Sequence, residues 1–244
     1  MPQKQSEAII LRTFNIGDQD KLVVFIGRHI GLKKGVAKGA RKFGNRFGSS
    51  LEPLSYVKVF YYEKEGKELV TISNCDLIES FFEVHHDIYI SFALSYYSEL
   101  IESSYPSRTD DDILFRLLLL ILQKFKAGGK QEQLTAYFEI WFLKINGLLP
   151  DFKYCKKCRR ELKSECWLSP KRDGVYCLDC APNKKIKLTP DIQDLLSWIK
   201  KNPPPQGKNF PFTFEQIQSA HRVLKEIIIF HLERTPKSLN FLDK

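Results

Sequence analysis

The chain has 244 residues, 43% of them hydrophobic and 13% aromatic, which supplies ample core material and excludes a wholly disordered protein. Thirty-eight Lys and Arg face 29 Asp and Glu, for a formal charge of +9, so a polyanionic partner is favoured over a basic one. No run of ~18 uncharged apolar residues occurs, which excludes a membrane-spanning helix and leaves no membrane partner expected.

The opening Met-Pro-Gln-Lys-Gln-Ser-Glu lacks the apolar centre of a secretory signal, so the expected location is the cytoplasm. Short aliphatic runs follow at Ala8 to Leu11 and Lys21 to Ile26, separated by the turn signal Ile16-Gly17-Asp18. Between Gly31 and Gly48 glycine is too frequent for a helix, so that stretch divides into strand and mobile loop. Val57, Val59 and Tyr61 alternate with Lys58 and Phe60, and Leu69 to Ile72 makes a further strand. About five short strands with no helix between them predict a small Greek-key barrel over residues 1–80.

From residue 81 the period becomes helical. Asp87 to Ser103 is the first helix. Thr109-Asp110-Asp111-Asp112 reads as the start of the second, a capping hydroxyl followed by acids that suit the positive helix end. That helix runs from Ile113 to Phe125, is apolar all round, and stops at Gly128-Gly129. Gln131 to Asn146 is the third, ending at Gly147. Residues 81–147 and 188–244 form two parts of one helical domain, interrupted by residues 148–187. The second part opens at Thr189-Pro190-Asp191, an N-cap with proline at the first helical position. After Pro203-Pro204-Pro205, Thr213 to Gln216 forms a capping box that starts the last helix.

Five of the six cysteines fall between Cys155 and Cys180, which is the distribution of a metal site in a reducing compartment rather than a disulfide framework. Cys155 and Cys158 form one C-x-x-C pair, and Cys177 and Cys180 another, 18 residues further on. Each pair can place two thiolates on one ion, and two pairs complete a tetrahedron with no open position, so Zn2+ with a structural role is expected. Free thiols, a redox pair and an iron–sulfur cluster are the competing roles, and paired motifs at zinc spacing disfavour them. Cys166 lies between the pairs, and the paired geometry favours the other four as ligands.

The second candidate is the segment 28–46, which carries Arg28, Lys33, Lys34, Lys38, Arg41, Lys42 and Arg46 and no acid. Cations on glycine-rich backbone, interleaved with Phe43 and Phe47, suit a nucleic acid: charge meets phosphate and rings stack on bases. The competing reading is a solvated charge run on an edge hairpin. A third possibility, a metal-dependent nuclease using Asp110, Asp111 and Asp112, competes with their simpler role at a helix start. No nucleotide-binding P-loop, serine-hydrolase elbow or zinc-protease motif is present, so no catalytic residue is assigned.

Taken in order, Glu7 to Arg12, Lys38 to Lys42 followed by Leu51-Glu52-Pro53, Gly147 to Pro150, and the two cysteine pairs resemble the bacterial RecO family over nearly the whole chain. That resemblance implies an α+β protein: an N-terminal OB-fold barrel, then a mainly α-helical domain with an inserted four-cysteine zinc finger. It implies a non-enzymatic DNA repair and recombination mediator that binds single- and double-stranded DNA and anneals complementary strands. Its partners would be RecR, the C-terminal tail of single-stranded DNA-binding protein and, indirectly, RecA and RecF, with a location at the bacterial nucleoid. Lys38, Arg41 and Lys42 fall on the family's basic barrel motif. From the residues alone, an RNA- or ribosome-binding zinc-ribbon protein is the alternative.

Overall fold

In the computed structural model, residues 2–104, 112–206 and 209–242 are described. Five strands open the chain: β1 (Lys4–Ile16), β2 (Asp20–Gly27), β3 (Gly31–Ala37), β4 (Tyr56–Tyr62) and β5 (Leu69–Glu79). They close a barrel in the order β1-β2-β3-β5-β4, with β4 returning to β1. All neighbours are antiparallel except β3 and β5, which run parallel from Lys34 opposite Leu69 to Ala37 opposite Ile72. This is the expected OB-fold barrel. β1 pairs with β4 through Lys4 to Ile9 and with β2 through Ala8 to Ile16, and its register against β2 shifts between Ile10 and Arg12, a bulge that bends the strand.

Period-two alternation fills the interior. Ala8, Ile10, Val23, Phe25, Val57, Val59, Tyr61, Val70 and Ile72 form one buried cluster. Gly35 on β3 is required by close approach: a Cβ there would lie 2.8 Å from side-chain atoms of both Ile72 and Val70. Cys75, the lone cysteine of β5, is buried in the same cluster, and burial pushes its thiol up to about 11. The outer faces of β1 and β2 are also buried at Ile9, Leu11, Val24 and Ile26, as a continuous apolar run requires.

After a short 3-10 turn come α1 (Ile88–Ser103) and α2 (Ile113–Lys126). Asp87 caps α1, its carboxylate accepting from the Tyr89 and Ile90 amides. The start proposed at Thr109, Asp110 and Asp111 lies outside the described residues. α2 is not buried all round as its composition suggests: Leu119 and Leu120 are half-buried, while Leu114, Phe115, Leu118 and Leu122 face inward. Its Phe115 ring meets Tyr56 of β4 at 6.1 Å. The barrel and both helices form one compact unit, Met1–Lys126.

The second unit, Ala127–Lys244, holds α3 (Gln131–Ile145), a three-stranded sheet of β6 (Cys166–Leu168), β7 (Val175–Tyr176) and β8 (Lys187–Leu188), then α4 (Pro190–Lys201), α5 (Phe214–Leu232) and the short α6 (Leu239–Leu242). The capping box of α5 forms in full between Thr213 and Gln216. Thr189 stands at the N-cap of α4 with Pro190 behind it, but its side chain makes no capping hydrogen bond, contrary to expectation. Between α3 and α5, Glu139 is fully buried and its carboxylate lies 2.8 Å from His221 Nδ1. No helix among the described residues is long and apolar enough to cross a membrane.

Candidate nucleic-acid interface and metal centre

The segment between β3 and β4 spans residues 38–55 and is not a loose loop. Successive turns are closed by backbone hydrogen bonds from Ala40 to Ala37, Lys42 to Gly39, Asn45 to Lys42 and Ser50 to Phe47. Ala40, Phe47 and Leu51 from this segment join the barrel's buried cluster. Phe47 is therefore a core residue and not the base-stacking ring that its place among basic residues suggests. Phe43, four positions earlier, is wholly exposed.

The seven basic residues are not one patch. Lys38, Lys42 and Arg46 line a cleft of about 440 Å³ together with Gly39, Phe43, Gly44 and Asn45. Lys38 and Lys42 have no ion pair or hydrogen bond through their side chains among the described residues. Arg46 donates from Nε to the Ser73 carbonyl at 2.6 Å and lies 4.5 Å over the Phe47 ring, which fixes its stem while leaving the residue exposed. Arg41 borders this group, its guanidinium donating to the Gly17 carbonyl of the β1–β2 hairpin at 2.8 Å. Asp20 of that hairpin accepts from the Gly39 amide, so its carboxylate orders the turn.

The others sit elsewhere on the barrel. Arg28 precedes β3 and Lys38 follows it, which puts them on the order of 20 Å apart along the strand. Arg28 pairs with Glu7 at 3.0 Å and with Asp112 at 3.8 Å. Lys33 pairs with Glu63 at 2.8 Å, and Lys4 pairs with the same carboxylate. Hydrogen bonds from Lys33 and then Lys4 hold Glu63 below the usual carboxylate range. Lys34 is exposed on β3, and its charge acts on Glu102, whose carboxyl burial pushes up. Asn45 also lines the cleft, and nothing in the sequence marks it, since a place between Gly44 and Gly48 signals only a turn.

The candidate metal centre is built by two knuckles brought together beside the small sheet. Cys155 bridges to Val175, and the Lys156 amide donates to the Val175 carbonyl at 2.8 Å, which sets the first knuckle beside the second. Arg159 adopts a left-handed backbone (φ 61°) that turns the chain after Cys158. The second knuckle is closed by the Cys180 amide donating to the Cys177 carbonyl at 3.1 Å. The sulfurs of Cys155, Cys158, Cys177 and Cys180 all lie within 4.8 Å of one another. Four sulfurs at ~2.3 Å from a tetrahedral zinc would be roughly 3.8 Å apart, and Cys158 and Cys177 are 3.8 Å apart.

The chemistry of the sulfurs fits the same group. Burial works against ionisation of Cys155, but the backbone amides of Cys158, Cys177 and Lys157 outweigh it and bring the thiol down to about 6. Hydrogen bonding to Cys177, burial and the neighbouring sulfurs push Cys180 up to about 12. Four thiolates this close do not coexist without a cation, and a dication supplies the missing charge. Cys166 stays apart: it is buried, its thiol is raised by burial to about 11, and its sulfur accepts from Gln193 at 3.5 Å. The four paired cysteines can thus hold a zinc ion, and the site is closed in the manner of a structural centre.

Family models match both parts of the chain. The one described as Recombination protein O N terminal covers residues 1–81, and the one described as Recombination protein O C terminal covers residues 85–240. The DNA repair protein RecO of Koribacter versatilis is 34% identical over 241 residues, covering 99% of this chain and 98% of the relative. That of Dehalococcoides mccartyi strain 195 is 27% identical over 98% of this chain and 94% of its own length. That of Thermodesulfovibrio yellowstonii is 33% identical over 72% and 69%. A barrel, a helical part with a four-cysteine cluster, and matches running from one end of the chain to the other establish that it belongs to the RecO family of DNA repair proteins.

Proposed function

We propose that this protein is a non-enzymatic recombination mediator that binds single- and double-stranded DNA, anneals complementary strands and helps load RecA onto strands coated by single-stranded DNA-binding protein. The coat's C-terminal tail and RecR are its direct protein partners, RecF acts further along, and the work takes place in the cytoplasm at the nucleoid. Residues 1–80 are the nucleic-acid-binding part, and a zinc ion held by Cys155, Cys158, Cys177 and Cys180 braces the fold of the insertion.

The observation that carries the reading is the cleft at the end of β3, where Lys38, Lys42 and Arg46 converge with Arg41 beside them. Cations without acidic partners attract phosphate and release counterions when it arrives, irrespective of base sequence. Neutralised backbones repel one another less, so complementary bases on two strands can approach. Lys33 and Arg28 are already engaged by Glu63, Glu7 and Asp112, and Lys34 lies within β3, outside the residues that line the cleft. About four contacts, rather than seven, therefore set the salt response. For single strands, four contacts predict a loss of roughly 50-fold in affinity between 50 and 200 mM salt, and seven predict nearly a thousandfold.

The test is fluorescence anisotropy of the full chain with labelled single strands of unrelated sequence across that salt range. A combined Lys38→Glu and Lys42→Glu variant should weaken all sequences about equally and flatten the salt slope. Binding indifferent to salt, or a loss confined to one sequence, would overturn the reading. So would metal-dependent cutting of the labelled strand in Mg²⁺ or Mn²⁺.

A further inference from the structure

We infer that Phe43 is a base-stacking residue, which makes the cleft prefer strands with unpaired bases over duplex; this rests on the reading that the cleft binds nucleic acid. Phe43 is 108% exposed, whereas the other exposed large apolar residues among those described range from 37% to 68%. It stands within the cleft, between Lys42 and Gly44 and facing the same space as Lys38 and Arg46. Arg46 lines the same cleft, and its guanidinium lies over Phe47 rather than Phe43. The ring is thus left open by the protein's own packing.

The turn that presents it is built on both sides. Gly39 (φ 71°) and Gly44 (φ 65°) take left-handed conformations that other residues rarely adopt. The Lys42 carbonyl accepts from the Asn45 amide and from Asn45 Nδ2, each at 3.1 Å, and the Asn45 side-chain oxygen accepts from the Phe47 amide at 3.0 Å. Phe47 and Ala40 then tie the turn into the barrel core. An open aromatic face on an ordered turn, surrounded by cations, fits a flat apolar group attached to negative charge. An unpaired base on its phosphodiester has that form. Every base has a π-face, so such a contact adds affinity without reading sequence. In a duplex those faces are covered by neighbouring bases, and the ring finds only the helix ends.

Binding of the full chain to a 20-nucleotide single strand, an abasic strand of the same length and a 20-bp duplex tests this at fixed salt. Phe43→Ala should weaken the base-bearing strand roughly 5- to 150-fold, the range for one aromatic–base stack, and lower the preference for single strand over duplex by the same factor. On the abasic strand the loss should shrink to about twofold or less, and Phe43→Tyr should restore base-dependent binding. An equal loss on base-bearing and abasic strands, or no loss on either, overturns the inference. The combined Lys38→Glu and Lys42→Glu variant separates the two failures. If it weakens all three ligands while Phe43→Ala weakens none, stacking falls and the cleft stands; if it weakens none, both fall.

Discussion

Two phenylalanines four positions apart give a sharp test of how residues 38–55 are built. Phe47 is 3% exposed inside the barrel cluster, and Phe43 is fully exposed. Truncating a buried Phe to Ala generally costs about 3–5 kcal/mol. The lower end applies to Phe47→Ala, because the ring lies under Arg46 on an exposed segment and the gap can partly close: about 3 kcal/mol, on the order of 10 °C in Tm for a unit of this size. Phe43→Ala should change stability by no more than about 0.5 kcal/mol, because nothing packs on the ring. Urea and thermal unfolding followed by circular dichroism measure both. Equal losses for the two variants, or less than about 1 kcal/mol for Phe47→Ala, would mean that this segment is not part of the barrel core. The proposed rigid presentation of the cleft would then lose its foundation.

Chelation of the pure protein should release one metal ion and expose four thiols to a chromogenic disulfide reagent. Cys75 and Cys166, buried and with thiols raised to about 11, should react only on unfolding. Metal analysis and thiol counting check this; six fast thiols would show that the insertion's collapse reaches further than its own strands. Gly35→Ala should destabilise by roughly 1–3 kcal/mol, since the new Cβ meets Ile72 and Val70 across the closed barrel; an unchanged urea midpoint would refute the close approach. Glu63 is held below the usual carboxylate range by Lys33 and Lys4, so it binds protons more readily unfolded than folded. Its contribution is complete above the ordinary carboxylate pKa and is lost as pH falls through the lowered folded value. Wild type should therefore lose more Tm than Lys33→Met on acidification below about pH 4.5, with the difference shrinking in high salt because the pair is partly exposed.

The features legible in the sequence are those in which chemistry and spacing are local. Two C-x-x-C pairs foretell the four-cysteine cluster because each knuckle is closed within four residues. Short aliphatic runs foretell β1 and β2, alternation foretells β4, and Thr213 with Gln216 foretells the start of α5. Features set by distant partners were hidden. Nothing near Lys33 announces Glu63, and nothing near Arg28 announces Glu7 and Asp112, so seven cations in one stretch read as one surface. Nor does local pattern distinguish Phe43 from Phe47, since both lie in a segment rich in glycine and basic residues. The placement of α2 with the barrel follows from the outward apolar faces of β1 and β2, a signal present in the uninterrupted Ala8 to Leu11 run but not decisive by itself.

A closed barrel has no free strand edge to offer a ligand, so recognition falls to what its loops present. Residues 38–55 are longer than an ordinary strand connection, and such length normally brings either disorder or function. Here Ala40, Phe47 and Leu51 enter the core at intervals, and the residues between them are left outside as short, hydrogen-bonded turns. One stretch of chain thereby carries two separable sets of side chains. The inward set answers to barrel stability, and Lys38, Lys42 and Phe43 line the cleft proposed to hold a strand. Substitutions in the second set can therefore change strand binding without lowering the urea midpoint, whereas Phe47→Ala lowers the midpoint first and loosens the cleft as a consequence. That ordering distinguishes a site mounted on a rigid scaffold from a basic tail that happens to be attached to one.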